Sequence, residues 1–144
     1  MNKRAYLSDF IPVMRDVLKK DGEVIFTITG NSMAPMLRHR KDKVCIKSID
    51  VHDLKKYDIP LFVRKDGKYI LHRIVGIKED GFEVMGDNQF NKEYPVNPSQ
   101  VIGVVNGFWK DDKYISCDSF KYKMYSKAWV FIYPIRWFYL RIIK

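Results

Sequence analysis

Residues 68–86 read KYILHRIVGIKEDGFEVMG, and the reading of this stretch decides the class of fold. Apolar runs stand on both sides of Asp80-Gly81, a dipeptide that marks a hairpin or tight turn, so the stretch predicts two antiparallel strands. The same grammar continues outward. EVIFTIT (23–29), KVCIKSI (43–49), IPLFVRK (59–65) and QVIGVVNGFWK (100–110) are further short apolar runs, and Asp66-Gly67 marks a second turn. Short strands at this spacing from residue 23 to about 115 predict a mainly β chain, an antiparallel barrel or folded sheet.

Both ends read differently. Upstream, Leu7, Phe10, Ile11, Met14, Val17 and Leu18 recur at helical spacing, with Ser8 as a cap, Pro12 tolerated in the first turns and Asp21-Gly22 as the stop. One amphipathic helix over residues 1–22 is expected. Downstream, SKAWVFIYPIRWFYLRIIK (126–144) is dense in aromatic and aliphatic residues, but Pro134, Arg136 and Arg141 interrupt it. The run from Ala128 to Ile135 is too short to span a bilayer. Tryptophans, tyrosines and spaced arginines fit a helical tail that anchors at an anionic membrane interface, or one that packs on the β domain or on a second copy of the chain. Without repeats or a Gly/Ser-rich linker, residues 1–22, 23–125 and 126–144 form one domain.

Composition narrows the partners. A chain of 144 residues can bury a core without disulfides or metal, and its net charge of +9 favours an acidic partner. The basic residues are dispersed, so nucleic acid ranks below an anionic membrane or a peptide. Cys45 and Cys117 lack zinc spacing and any pattern that would lower a thiol pKa, so no metal and no cofactor is expected. The charged N-terminus lacks the apolar centre of a secretory signal. That favours a peripheral, membrane-associated protein on the cytoplasmic face.

TGNSMAPML (29–37) directly follows the first strand and raises the question of function. Singly, Ser32 before Ala34-Pro35 is a turn or capping residue, His72 a satisfied buried histidine, and Asp87-Asn88 an Asx turn. Their order suggests chemistry. A serine hydroxyl needs a base within hydrogen-bond reach, which His72 can supply, and a carboxylate, Asp87 or Glu93, can orient the imidazole. Backbone N–H groups of the turn Gly30-Asn31-Ser32-Met33 can cradle an oxyanion. His39 and His52 read as solvated.

GNSMAPML (30–37), YDIPLFV (57–63), LHRIVGI (71–77) and GDNQFNKE (86–93), in this order, resemble the successive boxes of the signal peptidase and SOS-repressor peptidase superfamily. The resemblance covers residues 24–106. It implies a β-rich peptidase fold that hydrolyses a peptide bond through a serine acyl-enzyme. Ser32 matches the family nucleophile, and His72 stands where bacterial signal peptidases carry a lysine, as in the serine-histidine branch. Asp87 matches the aspartate of the Gly-Asp-Asn box. Glu93 falls where that branch usually has an aspartate, and Gly30 replaces a serine that assists the oxyanion in many members. No Ala-Gly pair precedes Ser32, and the N-terminal helix leaves no room for a helix-turn-helix, so self-cleavage and repression are disfavoured. The expectation is an endopeptidase that cleaves a leader- or signal-like peptide received as an extended strand on a shelf formed by Met33, Pro35 and Met36. The alternative is an inactive peptide- or membrane-binding module on the same fold. Self-association is left open.

Overall fold

A computed structural model describes residues 5–143, with side chains from residue 11 onward except those of residues 140 and 143. Helix α1 (Ala5–Lys19) buries Ile11, Met14 and Leu18 and leaves Val13 in solvent. The expected stripe residues Leu7 and Phe10 lie outside the described side chains. The helix starts before Ser8, which is therefore an interior residue and not its cap, and Pro12 lies well past the first turn. Packing of the apolar face outweighs both local preferences, as it does for most helices in water. The stop falls as read from the sequence: Asp21 takes φ 60°, and the Gly22 N–H returns to the Val17 carbonyl at 2.9 Å.

Among the described residues nine strands follow: β1 (Glu23–Thr27), β2 (Lys43–Lys47), β3 (Pro60–Val63), β4 (Tyr69–Leu71), β5 (Arg73–Lys78), β6 (Gly81–Met85), β7 (Glu93–Val96), β8 (Val101–Lys110) and β9 (Lys113–Ser116). They form two antiparallel sheets, and neither closes into a barrel. The larger runs β1-β2-β8-β3-β4, with β9 also on β8, and the smaller runs β5-β6-β7. The mainly β antiparallel character is as expected, but the expected closed barrel is absent and the strands divide between two sheets. The long strand β8 centres the larger one: it pairs with β2 along one side, while β3 and β9 share the other.

The stretch 68–86 contains the decisive break. KYILHRIVGI is not one strand but two, β4 and β5, with His72 alone between them where the chain leaves one sheet for the other. Both turns form where expected, Gly67 at φ +89° between β3 and β4 and Gly81 at φ +143° opening β6. Strand β7 escapes sequence reading because it contains Pro95, which is tolerated at the edge of the small sheet.

Two apolar clusters hold the molecule. One packs α1 and Tyr122 against the large sheet through Met33, Leu37, Val44, Ile46, Leu61 and Phe108. The other joins Phe62 and Val104 of the large sheet to Ile74, Phe82, Val84 and Val96 of the small one. The C-terminal segment is helical from before residue 126: Ser119 caps α2 (Phe120–Phe131), and α3 (Tyr133–Ile143) follows. Helix α2 buries Tyr122 and Ser126. Among the described residues, no helix is long and apolar enough to cross a membrane.

Candidate active site

The two edges of the large sheet, β1 and β4, border a cleft of about 100 Å³ lined by Phe26, Ile28, Ser32, Met33, Tyr69 and Leu71. Ser32 enters it from the loop that joins β1 to β2. That loop is held from several sides. Arg38 grips the buried Asp42 through both carboxylate oxygens at 2.9 Å, and Lys110 donates to the Pro35 and Met36 carbonyls at 2.7 and 3.2 Å. Asn88 donates its backbone N–H to the Ser32 carbonyl at 2.9 Å and its side-chain amide to the Asn31 carbonyl at 3.1 Å. The approach at Gly86 is close enough that an added Cβ would stand 2.5 Å from the Ser32 carbonyl oxygen, so glycine is required there.

His39 is not idle. Its Nδ1 accepts the Gly30 N–H at 2.6 Å, so the Gly30 amide, expected among the oxyanion donors, is already engaged. Gly30 instead supplies backbone conformation, at φ +88°. The amides of Asn31, Ser32 and Met33 remain the candidate donors. The expected substrate shelf is also rearranged. Met33 is buried but lines the cleft, whereas Met36 is buried away from it with its sulfur 3.3 Å from an Arg73 nitrogen, and Pro35 is exposed with its carbonyl on Lys110.

His72 is buried, with Phe62 edge-on at a ring separation of 6.1 Å. Burial, followed by the positive charge of Arg64, pushes its pKa down to about 4, and Glu93 and Asp87 oppose the shift without reversing it. The imidazole is therefore neutral at pH 7, with Nδ1 buried and without a partner. Neither expected carboxylate supplies one. Asp87 bonds Arg73 through both oxygens at 2.8 Å, and Glu93 is bonded by Arg64 at 2.8 to 3.2 Å. A guanidinium fork matches a carboxylate at two points, a geometry that a histidine N–H cannot displace cheaply.

Arg73 is the organising residue that sequence reading passed over. Besides Asp87 it donates to the Tyr57 carbonyl, Tyr122 and Ser126, so one buried side chain ties β5 to the Gly-Asp-Asn loop and to α2. A signal was available: a charge inside LHRIVGI must find a partner if the strand is buried. The tail also reaches the loop that follows β6. Trp129 and Arg136 each donate to the Asp87 carbonyl at 2.9 Å, and the Tyr133 hydroxyl bonds the Phe90 carbonyl.

Both cysteines are poor nucleophiles. Burial, reinforced by Glu23, raises Cys45 to about 11, and burial raises Cys117 to about 12. Among the described residues, no group of three or more His, Cys, Asp or Glu side chains is placed to hold a metal ion. Compared with known proteins, the chain matches no family model and no curated sequence.

Proposed function

We propose that this chain is a serine endopeptidase of the signal-peptidase-like class, with Ser32 as nucleophile and His72 as general base and acid, acting on a leader- or signal-like peptide. The observation that carries the reading is the link between the two residues. His72 directly precedes Arg73, Arg73 holds Asp87, and the next residue, Asn88, holds the Ser32 carbonyl. The two candidate groups thus hang from opposite ends of one buried ion pair.

The chemistry follows from that arrangement. A peptide strand added at β1 or β4 brings its carbonyl to the cleft. The Ser32 hydroxyl gives its proton to His72 as its oxygen bonds the carbonyl carbon, and amides of the Asn31–Met33 turn receive the oxyanion. Collapse breaks the peptide C–N bond, and the imidazolium returns the proton to the leaving amine. An imidazole as weakly basic as that of His72 accepts a proton reluctantly and returns it readily. Water then hydrolyses the acyl-enzyme with His72 as base. We also infer a peripheral position on an anionic membrane from the apolar residues that the C-terminal helices expose.

The test is a comparison of protein N-termini by mass spectrometry in host cells that express the wild type or Ser32→Ala at equal level. Ser32-dependent N-termini are expected, with the variant slower by on the order of 10³-fold or more. Equal processing by both proteins refutes the assignment.

A second reading, a non-catalytic peptide-binding module, is favoured by the partnerless Nδ1 of His72 and by the two arginines that hold the candidate carboxylates. A peptide-bound structure separates the two. A Ser32 hydroxyl beyond hydrogen-bond reach of His72 in that complex supports the module.

A further inference from the structure

Helix α3 turns its apolar residues outward. Ile135, Phe138, Tyr139 and Ile142 fall at three- and four-residue spacing, continue from Phe131 at the end of α2, and are each more than 60% exposed. Its polar arms point the other way, with Tyr133 and Arg136 on the Phe90 and Asp87 carbonyls. Helices on globular proteins show the reverse arrangement, since an apolar stripe left in water forfeits its burial. Something outside the chain is expected to cover it.

Charge identifies the cover. From Ser119 onward the sequence has no Asp or Glu, while Lys121, Lys123, Lys127 and Arg141 are basic and exposed. A second copy of this tail would set positive charge against positive charge. An anionic lipid surface offers apolar depth for the stripe and negative headgroups for the bases, and Trp137, with Arg141 4.7 Å from its ring, is suited to the boundary between them.

The inward side leads to the serine. Trp129, Tyr133 and Arg136 bond the carbonyls of Asp87 and Phe90, and between those residues Asn88 bonds the Ser32 and Asn31 carbonyls. Arg136 stacks on Trp129 at 4.2 Å, and its Nε and Nη2 are buried without partners. Such burial is costly, and the Asp87 carbonyl and the indole face are what offset it.

We propose that α3 docks on an anionic lipid surface and that Trp129, Tyr133 and Arg136 are positioning residues that transmit the docking to loop 86–90 and so to the Ser32 turn. The proposal rests on the peptidase reading only for its consequence for cleavage. Docking and transmission can be read without it.

The experiment uses the full chain with vesicles of phosphatidylcholine alone or mixed with phosphatidylglycerol, read by co-sedimentation and by amide hydrogen exchange. The wild type is expected to bind the mixed vesicles at least about tenfold more tightly than the neutral ones. Phe138→Glu combined with Ile142→Glu, on the outward face, is expected to abolish that binding without altering the fold. Lipid is expected to slow exchange across residues 86–90 severalfold in the wild type. Arg136→Met, or Trp129→Phe if that variant does not fold, is expected to bind vesicles normally without this protection. Equal binding of wild type and the double glutamate variant overturns the docking. So does a double variant that changes self-association in the absence of lipid and leaves vesicle binding intact, because the stripe then serves a second copy. Lipid binding without protection of 86–90 overturns the transmission. Where docking and protection both appear while Ser32 stays unreactive toward a fluorophosphonate and no Ser32-dependent cleavage is found, the peptidase reading fails alone. Where Ser32-dependent cleavage is indifferent to vesicles and to both tail variants, the coupling fails alone.

Discussion

The ion pairs Arg73–Asp87 and Arg64–Glu93 both act on His72, yet the first is sealed, with side chains 0% and 2% exposed, and the second stands open, at 32% and 34%. Distance does not separate them, because both make 2.8 Å contacts. Surroundings do. In the sealed pair the arginine also donates to the Tyr57 carbonyl and, on α2, to Tyr122 and Ser126, so its remaining donors are satisfied from two other parts of the chain. In the open pair water shares the work, and what the pair does is adjust the potential at a buried imidazole. One pair is architecture, the other is tuning, and removing a partner from each distinguishes the two roles.

The largest effect is expected from Asp87→Ala, which leaves the Arg73 guanidinium buried and uncompensated. A loss of about 3–5 kcal/mol is expected in chemical denaturation. A loss below about 1 kcal/mol would place this pair in the same class as the open one.

Next comes the pH dependence of stability. His72 titrates near 4 when folded against an ordinary value of 6.5, so between those values the unfolded chain takes up a proton that the folded chain refuses. Its contribution is fully present above pH 6.5 and is lost as pH falls toward 4, by up to about 3 kcal/mol. Denaturation curves at neutral pH and near pH 4.5 check this, with His72→Gln as the control expected to flatten the difference.

The smallest effect on stability is expected from Arg64→Met, at most about 1 kcal/mol, because the pair it breaks is open to solvent. Its signature lies elsewhere. With the arginine charge gone and Glu93 released, the His72 pKa rises, which the titration of its imidazole proton resonances reports. A fall, or no change, would mean that Arg64 does not set the potential at the site.

Legibility in the sequence followed the range of the interactions. Asp66-Gly67 and Asp80-Gly81 announced their turns because a left-handed backbone is a local demand that glycine answers. The α1 stripe was visible as periodicity, but its start was misread at Ser8 because tertiary burial outweighs a cap. The site divided along the same line. Ser32 and the Gly-Asp-Asn loop could be singled out from residue types and order. The partners of Asp87 and Glu93 could not, since a carboxylate reads the same whether a histidine or an arginine takes it. The choice fell to the arginines, whose two-point geometry fits a carboxylate better than a single ring N–H does.

By itself, the sequence determined that the chain is mainly β between helical ends and where its turns fall, and it singled out Ser32, His72 and Asp87 as candidates. Those properties depend on neighbours along the chain. Tertiary structure alone decided that the long apolar run breaks at His72 between two sheets, that His39 holds the Gly30 amide, that Arg73 organises the site, and that α3 faces outward with its apolar side. Each of these depends on which distant groups compete for one hydrogen bond or one dry surface, and that competition is resolved only when the chain closes on itself.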